Sequence, residues 1–354
     1  MVEATLSDIM AAVPEPMLHL SQSGQVAQAN HAARVLLGDW IEGRSYAAVL
    51  RQPGLLSAIE AAQGGGTETE ARLHLTDQTG ESQFRVRISP VGAPNARGIR
   101  ALLLHLTDIT HLHEAEEMRR DFVANVSHEL RTPLTALLGF IQTLTGAARD
   151  DAVARNRFLG IMEREAERMN RLVGDLLSLS RVEAEARVRP TERIDLVALV
   201  RSAVDPLRSL ASEQGVEITV ETDGLGLGVE ELIVHADPDQ LTQVVTNLVE
   251  NAVKYGGNGK GVQVALWLNP RDPDMRVPAV TVAVTDHGDG IDPLHLPRLT
   301  ERFYRVDSHR SREKGGTGLG LAIVKHIMNR HRGMLRIKSD RGVGSCFSIS
   351  LRLP

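Results

Sequence analysis

The chain of 354 residues holds a single cysteine, Cys346. It therefore has neither an internal disulfide nor a cysteine metal cage. Aromatic residues make up 3%, too few for the stacking platforms that bind single-stranded nucleic acid. A basic excess is missing too: 40 Lys and Arg stand against 45 Asp and Glu, a net charge of −5. That leaves no electrostatic footprint for nucleic acid or an anionic membrane. Long apolar runs are absent; Val262–Leu268 and Ala101–Leu104 fall far short of the roughly 20 residues of a membrane span. Met1–Met10 carries Glu3 and Asp8 and lacks the basic start of a secretory signal. No Gly-x-x-x-x-Gly-Lys-Ser/Thr occurs, which removes the Walker route to phosphates, and the protein-kinase motif set is missing as well. These absences point to a soluble protein of a reducing cytoplasm, about two to three domains in size.

What is present falls into three stretches. In residues 1–110, Gln25–Asn30 reads as a strand and His31–Leu37 as a helix stopped by Gly38. Three further strand segments follow, Glu68–Thr76, Ser82–Pro90 and Gly98–Thr107. In Phe84-Arg85-Val86-Arg87-Ile88, apolar and charged residues alternate, the period of a half-buried strand. The reading is a sheet with helices on one face.

Residues 111–186 change character. Leu112, Ala115, Met118, Phe122, Val126, Leu130, Leu134, Leu137, Ile141 and Leu144 step by three and four, which predicts one long helix. Thr145–Asp151 reads as a loop, with Asp150 or Asp151 as the next N-cap. A second seam runs Phe158, Met162, Ala166, Met169, Val173, Leu176, Ser180. Two long helices joined by a short loop make an antiparallel hairpin. Its uncovered stripe predicts pairing of two hairpins into a four-helix bundle, and so a homodimer.

Residues 187–354 return to mixed α/β. Strands are expected at Val216–Glu221, Leu232–Ala236, Val262–Leu268, Ala279–Asp286, Met334–Ser339 and Ser345–Leu351. Helices are expected at Leu196–Gln214, Pro238–Tyr255 and Thr317–His331. Asp237 as N-cap and Pro238 at the first helical position mark one start clearly.

Within this frame several residues have chemistry to offer. His128 lies roughly 200° from Val126 and 160° from Leu130 at about 100° per residue, away from the seam. A solvated imidazole there can act as a nucleophile. Glu129 stands close enough to take a ring proton, and Thr132 comes round to the same face. Pro133 lacks an N–H and disfavours helix at Thr132, which predicts a bend just past the histidine. Further on, Asn247, Asn251 and Lys254 share one helix face, with amide oxygens fit for Mg²⁺ and an ammonium fit for phosphate. Asp286-His287-Gly288-Asp289-Gly290 follows an apolar strand: an acceptor suited to a base amino group, then glycines that let a ligand approach the backbone. Gly315-Gly316-Thr317-Gly318-Leu319-Gly320 leads into a helix and offers backbone N–H groups to phosphates. Between them, Glu301–Arg305 and the polar, basic Val306–Lys314 read as a lid over an anionic ligand.

In this order the motifs His128-Glu129-Leu130-Arg131-Thr132-Pro133, Asn247…Asn251, Asp286-x-Gly288-x-Gly290, Phe303 and Gly316-x-Gly318-x-Gly320 resemble the bacterial two-component sensor histidine kinases. The overall likeness is to phosphate-regulon sensors. The resemblance implies a dimerisation and phosphotransfer hairpin followed by a Bergerat-type α/β sandwich, shared with gyrase and Hsp90. It makes His128 the phosphoacceptor, Glu129 the general base, and Thr132 the residue that positions water for dephosphorylating the partner. It makes Asn251 the Mg²⁺ ligand with Asn247 alongside, Lys254 a phosphate contact, Tyr255 an adenine-pocket residue and Asp286 the adenine acceptor. Gly288, Gly290, Phe303, Gly316, Thr317, Gly318, Leu319 and Gly320 complete the ATP site. Hydrolysing relatives of the fold carry Glu where Asn247 stands, which favours transfer to a side chain over hydrolysis. Ala29-Asn30-His31-Ala32-Ala33 and the ending Leu106-Thr107-Asp108-Ile109-Thr110 resemble a PAS sensor; His19, His31, His74 and His105 leave a haem ligand open there.

The expected architecture is thus multidomain α+β: a PAS-like sensor over 1–110, the phosphotransfer hairpin over 111–186 and the ATP-binding domain over 187–354. The expected activity is autophosphorylation by ATP and Mg²⁺. The phosphoryl group then passes to an Asp of a separate response regulator, of which the chain would also be a phosphatase. Nucleic acid is not an expected partner, and recruitment to a membrane complex is left open. The rival readings are an ATPase machine, marked by steady hydrolysis without label on the protein, and a nucleotide-binding scaffold, marked by binding without transfer.

Overall fold

The computed structural model describes residues 5–65, 67–77, 80–146, 148–226, 231–256, 261–306 and 316–353. It divides into two compact units, Met1–Ala124 and Asn125–Pro354. Among the described residues no helix is long and apolar enough to cross a membrane.

The first unit is an antiparallel sheet of five strands: β1 (Met17–Leu20), β2 (Val26–Ala29), β3 (Thr69–Asp77), β4 (Gly80–Val91) and β5 (Ala101–Asp108). Their order is β2-β1-β5-β4-β3. Helices α1 (Leu6–Ala12), α2 (His31–Leu37), α3 (Tyr46–Leu50) and α4 (Pro53–Gly65) complete it. The alternation of β4 holds: Phe84, Val86 and Ile88 are buried while Arg85 and Arg87 are exposed. The buried face packs with Leu18, Leu104 and Leu106 of the sheet and Leu55 and Ile59 of α4. Asn30, the α2 N-cap, is buried with its amide fully engaged. Its Oδ1 accepts from the N–H groups of Met17 (3.0 Å) and Ala33 (2.9 Å), and its Nδ2 donates to the carbonyls of Met10, Val13 and Glu15. A buried amide satisfied in this way fixes the chain crossing around it. Strand β1 and helix α4 are elements that the sequence patterning did not reveal.

Helix α5 (Thr110–Thr145) spans the division between the units, and α6 (Ala152–Ala184) returns from it. Asp151 caps α6, its Oδ1 accepting from Val153 and Ala154. Helix α5 runs on through Pro133, which is buried inside it; the Thr132 hydroxyl donates back to the His128 carbonyl at 3.2 Å within the helix. Of the expected α6 seam, Phe158, Met162, Met169 and Leu176 are half-buried, while Ala166, Val173 and Ser180 are exposed in the single chain. Beside that seam lies a second stripe that the apolar spacing did not include: Ile161, Glu165, Arg168, Leu172, Asp175, Leu179 and Val182, at alternating steps of four and three. Three charged side chains sit on that stripe because they have partners there, described below.

After α6 come β6 (Arg193–Asp195), α7 (Leu196–Glu213), β7 (Ile218–Gly224), β8 (Ile233–His235), α8 (Pro238–Tyr255), β9 (Val262–Asn269), β10 (Ala279–Asp286), α9 (Gly320–Arg330), β11 (Met334–Asp340) and β12 (Gly344–Arg352). The main sheet runs β11-β12-β10-β9-β7, antiparallel except for the parallel β7–β9 pair. Strand β10 is central and almost wholly buried, which explains why only Thr281 and Thr285 interrupt its apolar run before Asp286. Leu241, Val244, Val245, Leu248, Val249, Ala252 and Val253 form the buried stripe of α8. Helix α9 starts at Gly320, so Thr317 lies in the turn before it rather than in the helix.

His331, just past α9, ties two elements together. Its Nε2 accepts the backbone N–H of Asp237 at 3.0 Å, and its Nδ1 lies 2.8 Å from the Ile327 carbonyl. Both contacts are satisfied by the neutral ring with its proton on Nδ1. Burial, aided by the charge of Arg330, pulls its pKa below the ordinary histidine value. The unfolded chain therefore takes up this proton first as pH drops. Stability should be full above about pH 6.5 and fall as pH is lowered from there through the folded value. Burial shifts His19 and His326 the same way. The urea midpoint is thus expected to drop between pH 7.5 and pH 5.5, and His331→Gln should flatten that slope without abolishing it.

Candidate active site

The functional groups are brought together by α5, α6, α8, the end of β10 and the turn before α9. His128 is exposed on α5, as its angular offset from the apolar seam requires. Glu129 beside it is half-buried and points to two guanidinium groups. Its Oε2 accepts from Arg168 of α6 at 2.6 Å and from Arg305 at 3.3 Å. Arg168 also approaches Glu165 at 3.6 Å. The side chains of Arg168, Arg305 and Glu129 are 12%, 9% and 13% exposed, so these are sheltered charge-assisted bonds rather than solvated surface pairs. Arg305 belongs to the expected lid; residues 307–315, which hold most of that lid and Gly315, lie outside the described residues.

On α8, Asn247, Asn251 and Lys254 are all half-buried and lie opposite the buried stripe, as expected, while Tyr255 is exposed. Asn247 Nδ2 donates to the Gly320 carbonyl at 3.3 Å, so the amide helix and the glycine turn are adjacent. Lys254 Nζ pairs with Glu250 Oε2 at 2.5 Å. The Asn251 amide has no hydrogen-bond partner among the described residues. Two amide oxygens and no fixed carboxylate suit a hard cation that arrives with its own phosphate ligands, as Mg²⁺ does.

Asp286 ends β10 and is 5% exposed. Burial raises its pKa, against the N–H donors of Gly288 and Ser345 and the charge of His287, which lower it. Its Oδ1 accepts from Gly288 N–H at 2.9 Å. Close backbone approaches explain the glycines that follow. A Cβ on Gly288 would stand 2.4 Å from the Tyr255 carbonyl oxygen, and one on Gly290, at φ +66°, would stand 2.0 Å from the Asp340 oxygen. Across the site Phe303 adopts φ +63°, and its N–H donates to the Gly318 carbonyl at 2.8 Å. Gly318, at φ +75°, lies so close to Phe303 that its Cβ would be 2.9 Å from the Phe303 Cα. An aromatic residue in left-handed geometry is costly, and the pairing with Gly318 fixes the spacing of the two loops. Gly316 is half-buried and Leu319 fully buried, anchoring the turn.

Sequence reasoning missed the partners that reach in from the hairpin. Thr317 Oγ1 donates to Asp175 Oδ2 of α6 at 2.7 Å, and burial raises the pKa of that carboxyl. Glu183 of α6 pairs with Arg302 and with His326 (3.5 Å), and Ser178 donates to Gln243 of α8 at 2.6 Å. The signal for Arg168 and Asp175 was present in their three-and-four spacing with Leu172 and Leu179, but only for a reader who allowed charged residues onto a packed stripe.

Comparison with known proteins bears on this arrangement. Residues 118–185 match the His Kinase A (phospho-acceptor) domain family, and residues 236–354 match the histidine kinase-, DNA gyrase B- and HSP90-like ATPase family. The chain is 39% identical over 251 residues to the phosphate regulon sensor protein PhoR of Pseudomonas aeruginosa, covering 71% of this chain and 54% of that protein. It is 30% identical over 345 residues to the sensor protein SrrB of Staphylococcus aureus, covering 96% and 54%. It thus spans about half the length of these curated relatives. The crystal structure of histidine kinase ThkA in complex with response regulator protein TrrA shares the fold, with a TM-score of 0.51, 22% identity and 99% of each chain covered.

Proposed function

Because the chain belongs to the bacterial two-component sensor histidine kinases, we propose that it transfers the γ-phosphoryl group of ATP to His128 and passes it on to an aspartate of a separate response regulator. The observation that carries this is the contact between Glu129 and Arg305. It puts the neighbour of an exposed imidazole against the segment that leads into the nucleotide loops.

The proposal gives each residue a role. Asp286 accepts the exocyclic amino group of adenine, and Gly288 and Gly290 leave room for the base plane beside Tyr255. Lys254 and the N–H groups of Gly316–Gly320 hold phosphate oxygens, with Thr317 and Leu319 setting the turn and Phe303 the opposing loop. Asn251, with Asn247 alongside, would hold Mg²⁺, which would supply charge neutralisation at the phosphates. The free ring nitrogen of His128 attacks the γ-phosphorus in line. A nitrogen–phosphorus bond forms, the bond from that phosphorus to the bridging oxygen breaks, and ADP leaves with the electron pair. Glu129 takes the proton from the other ring nitrogen. In the second step the nitrogen–phosphorus bond breaks as the regulator's carboxylate oxygen takes the group. Thr132 then positions water for the reverse duty, dephosphorylation of the regulator.

Several apolar side chains of the hairpin are exposed, including Leu134, Leu138 and Ile141 on α5 and Val173 and Leu177 on α6. A second copy of the chain would cover them in a four-helix bundle. The 1–110 module serves as a PAS-like input, followed by the hairpin over 111–186 and the ATP-binding domain over 187–354.

The test is incubation with γ-labelled ATP and Mg²⁺. Label should appear on the chain, survive alkali and be lost in acid, as a phosphoramidate is. Steady release of inorganic phosphate with no label on the protein would overturn the reading in favour of an ATPase.

A further inference from the structure

The outer face of the N-terminal sheet carries a feature that phosphoryl transfer does not use. A cleft of about 300 Å³ lies between β3, β4 and the first turns of α5. It is lined by Glu70, Ala71, Arg72, Arg85, Ile109, Leu112, His113 and Glu116. That volume is at the lower end for small-ligand sites.

Its charges are unevenly matched. Arg72 of β3 and Arg85 of β4 stand directly opposite each other in the antiparallel register. Cross-strand neighbours have Cβ atoms about 4.5–5.5 Å apart, and like charges there are destabilising. The acids of the cleft stand near other cations: Glu70 lies 3.7 Å from Arg87 and Glu116 lies 4.0 Å from Arg120, both exposed pairs at the outer limit of ion-pair distance. His113 is paired with Glu117 at 3.1 Å. Neither Arg72 nor Arg85 has a carboxylate partner among the described residues. Among the described residues, the cleft cations with no carboxylate within ion-pair distance are therefore two guanidinium groups side by side, bordered by Ile109 and Leu112.

We propose that this cleft binds a small organic dianion, its two anionic groups held by Arg72 and Arg85 and its apolar body laid against Ile109 and Leu112. Paired guanidinium groups match carboxylate oxygens in bidentate geometry, and a bound dianion removes the cross-strand repulsion. The start of α5 is firmly set as the other wall. Asp108 Oδ1 accepts from the Thr110 N–H at 2.8 Å, and Thr110 Oγ1 accepts from the Gln83 N–H at 2.9 Å. Such a ligand would therefore join the sheet to the helix that carries His128.

Calorimetric titration of the full chain with succinate tests this without reference to phosphoryl transfer, so either idea can fail alone. One site per chain is expected. Arg72→Gln and Arg85→Gln should each weaken binding at least about tenfold, the loss that follows removal of one charged hydrogen-bonded anchor. Arg97→Gln, exposed between β4 and β5 and outside the lining of the cleft, should leave binding unchanged. Without ligand, Arg85→Gln should melt no lower than the parent, because a repulsion is removed. Absence of binding, binding that survives both substitutions, or acetate or inorganic phosphate binding as tightly as succinate overturns the proposal.

Discussion

Replacing His128 with alanine is expected to bring phosphoryl label on the chain to background, a fall of at least about three orders of magnitude, while ATP affinity and melting temperature stay put. The imidazole is exposed and sits on the helix surface away from the packed stripe. Truncating an exposed side chain shifts stability by about 0.5 kcal/mol or less, and alanine is the better helix former. Loss of label therefore cannot come from unfolding. Nor can it come from the nucleotide site, whose residues lie on α8, at the end of β10 and in the turn before α9. What disappears, on the proposed mechanism, is the atom that attacks phosphorus. ATP turnover should not rise in compensation, since the position at which hydrolysing relatives of this fold carry Glu is held by Asn247, whose amide is bonded to Gly320. Measuring label, nucleotide affinity and melting together separates these cases. Label that persists at alkali-stable, acid-labile levels would move the acceptor elsewhere, with exposed His111 of the same helix the first place to look.

The parts of the molecule legible in the sequence share one property: their signal is local. Helix α8 was bounded to the residue by Asp237, Pro238 and the change of pattern after Tyr255, and β10 by its apolar run. A cap at Asp150 or Asp151, which the structure places at Asp151, and the outward face of His128 follow from local spacing. The site motifs are short stretches for the same reason, because loops that approach a ligand need glycine at fixed offsets. Failure came where the cause was remote. The second stripe of α6 is hidden because Arg168 and Asp175 look like solvent-side residues until Glu129 and Thr317 are brought to them, 39 and 142 residues away in the chain. Strand β1 is buried at three of its four residues, Met17, Leu18 and Leu20, so it has no alternation to show. At Pro133 the ring is buried in packing, and the helix continues past it despite the lost N–H.

The second large effect concerns Glu129. Glu129→Gln is expected to slow transfer to His128 by about 100-fold to 10,000-fold with ATP affinity unchanged, the range set by loss of a positioned general base. The same change strips the carboxylate from two sheltered guanidinium groups, and this has its own cost. Hydrogen bonds to charged groups contribute about 1.5–3 kcal/mol. Arg168 keeps Glu165 nearby, and glutamine still offers an acceptor, so the stability loss should fall at or below the lower end of that range. A modest drop in melting temperature leaves the chain folded at 25 °C, where single-turnover rates can be read. Arg168→Gln resolves which loss matters. It breaks the 2.6 Å bond but spares the carboxylate, so it should cost similar stability while leaving Glu129 able to accept a proton. If the carboxylate serves as the base, the two variants part company: both melt lower, and only Glu129→Gln loses the rate. Equal rates in the two would mean that Glu129 acts through its contacts with Arg168 and Arg305 alone, and that the ring proton of His128 leaves to water.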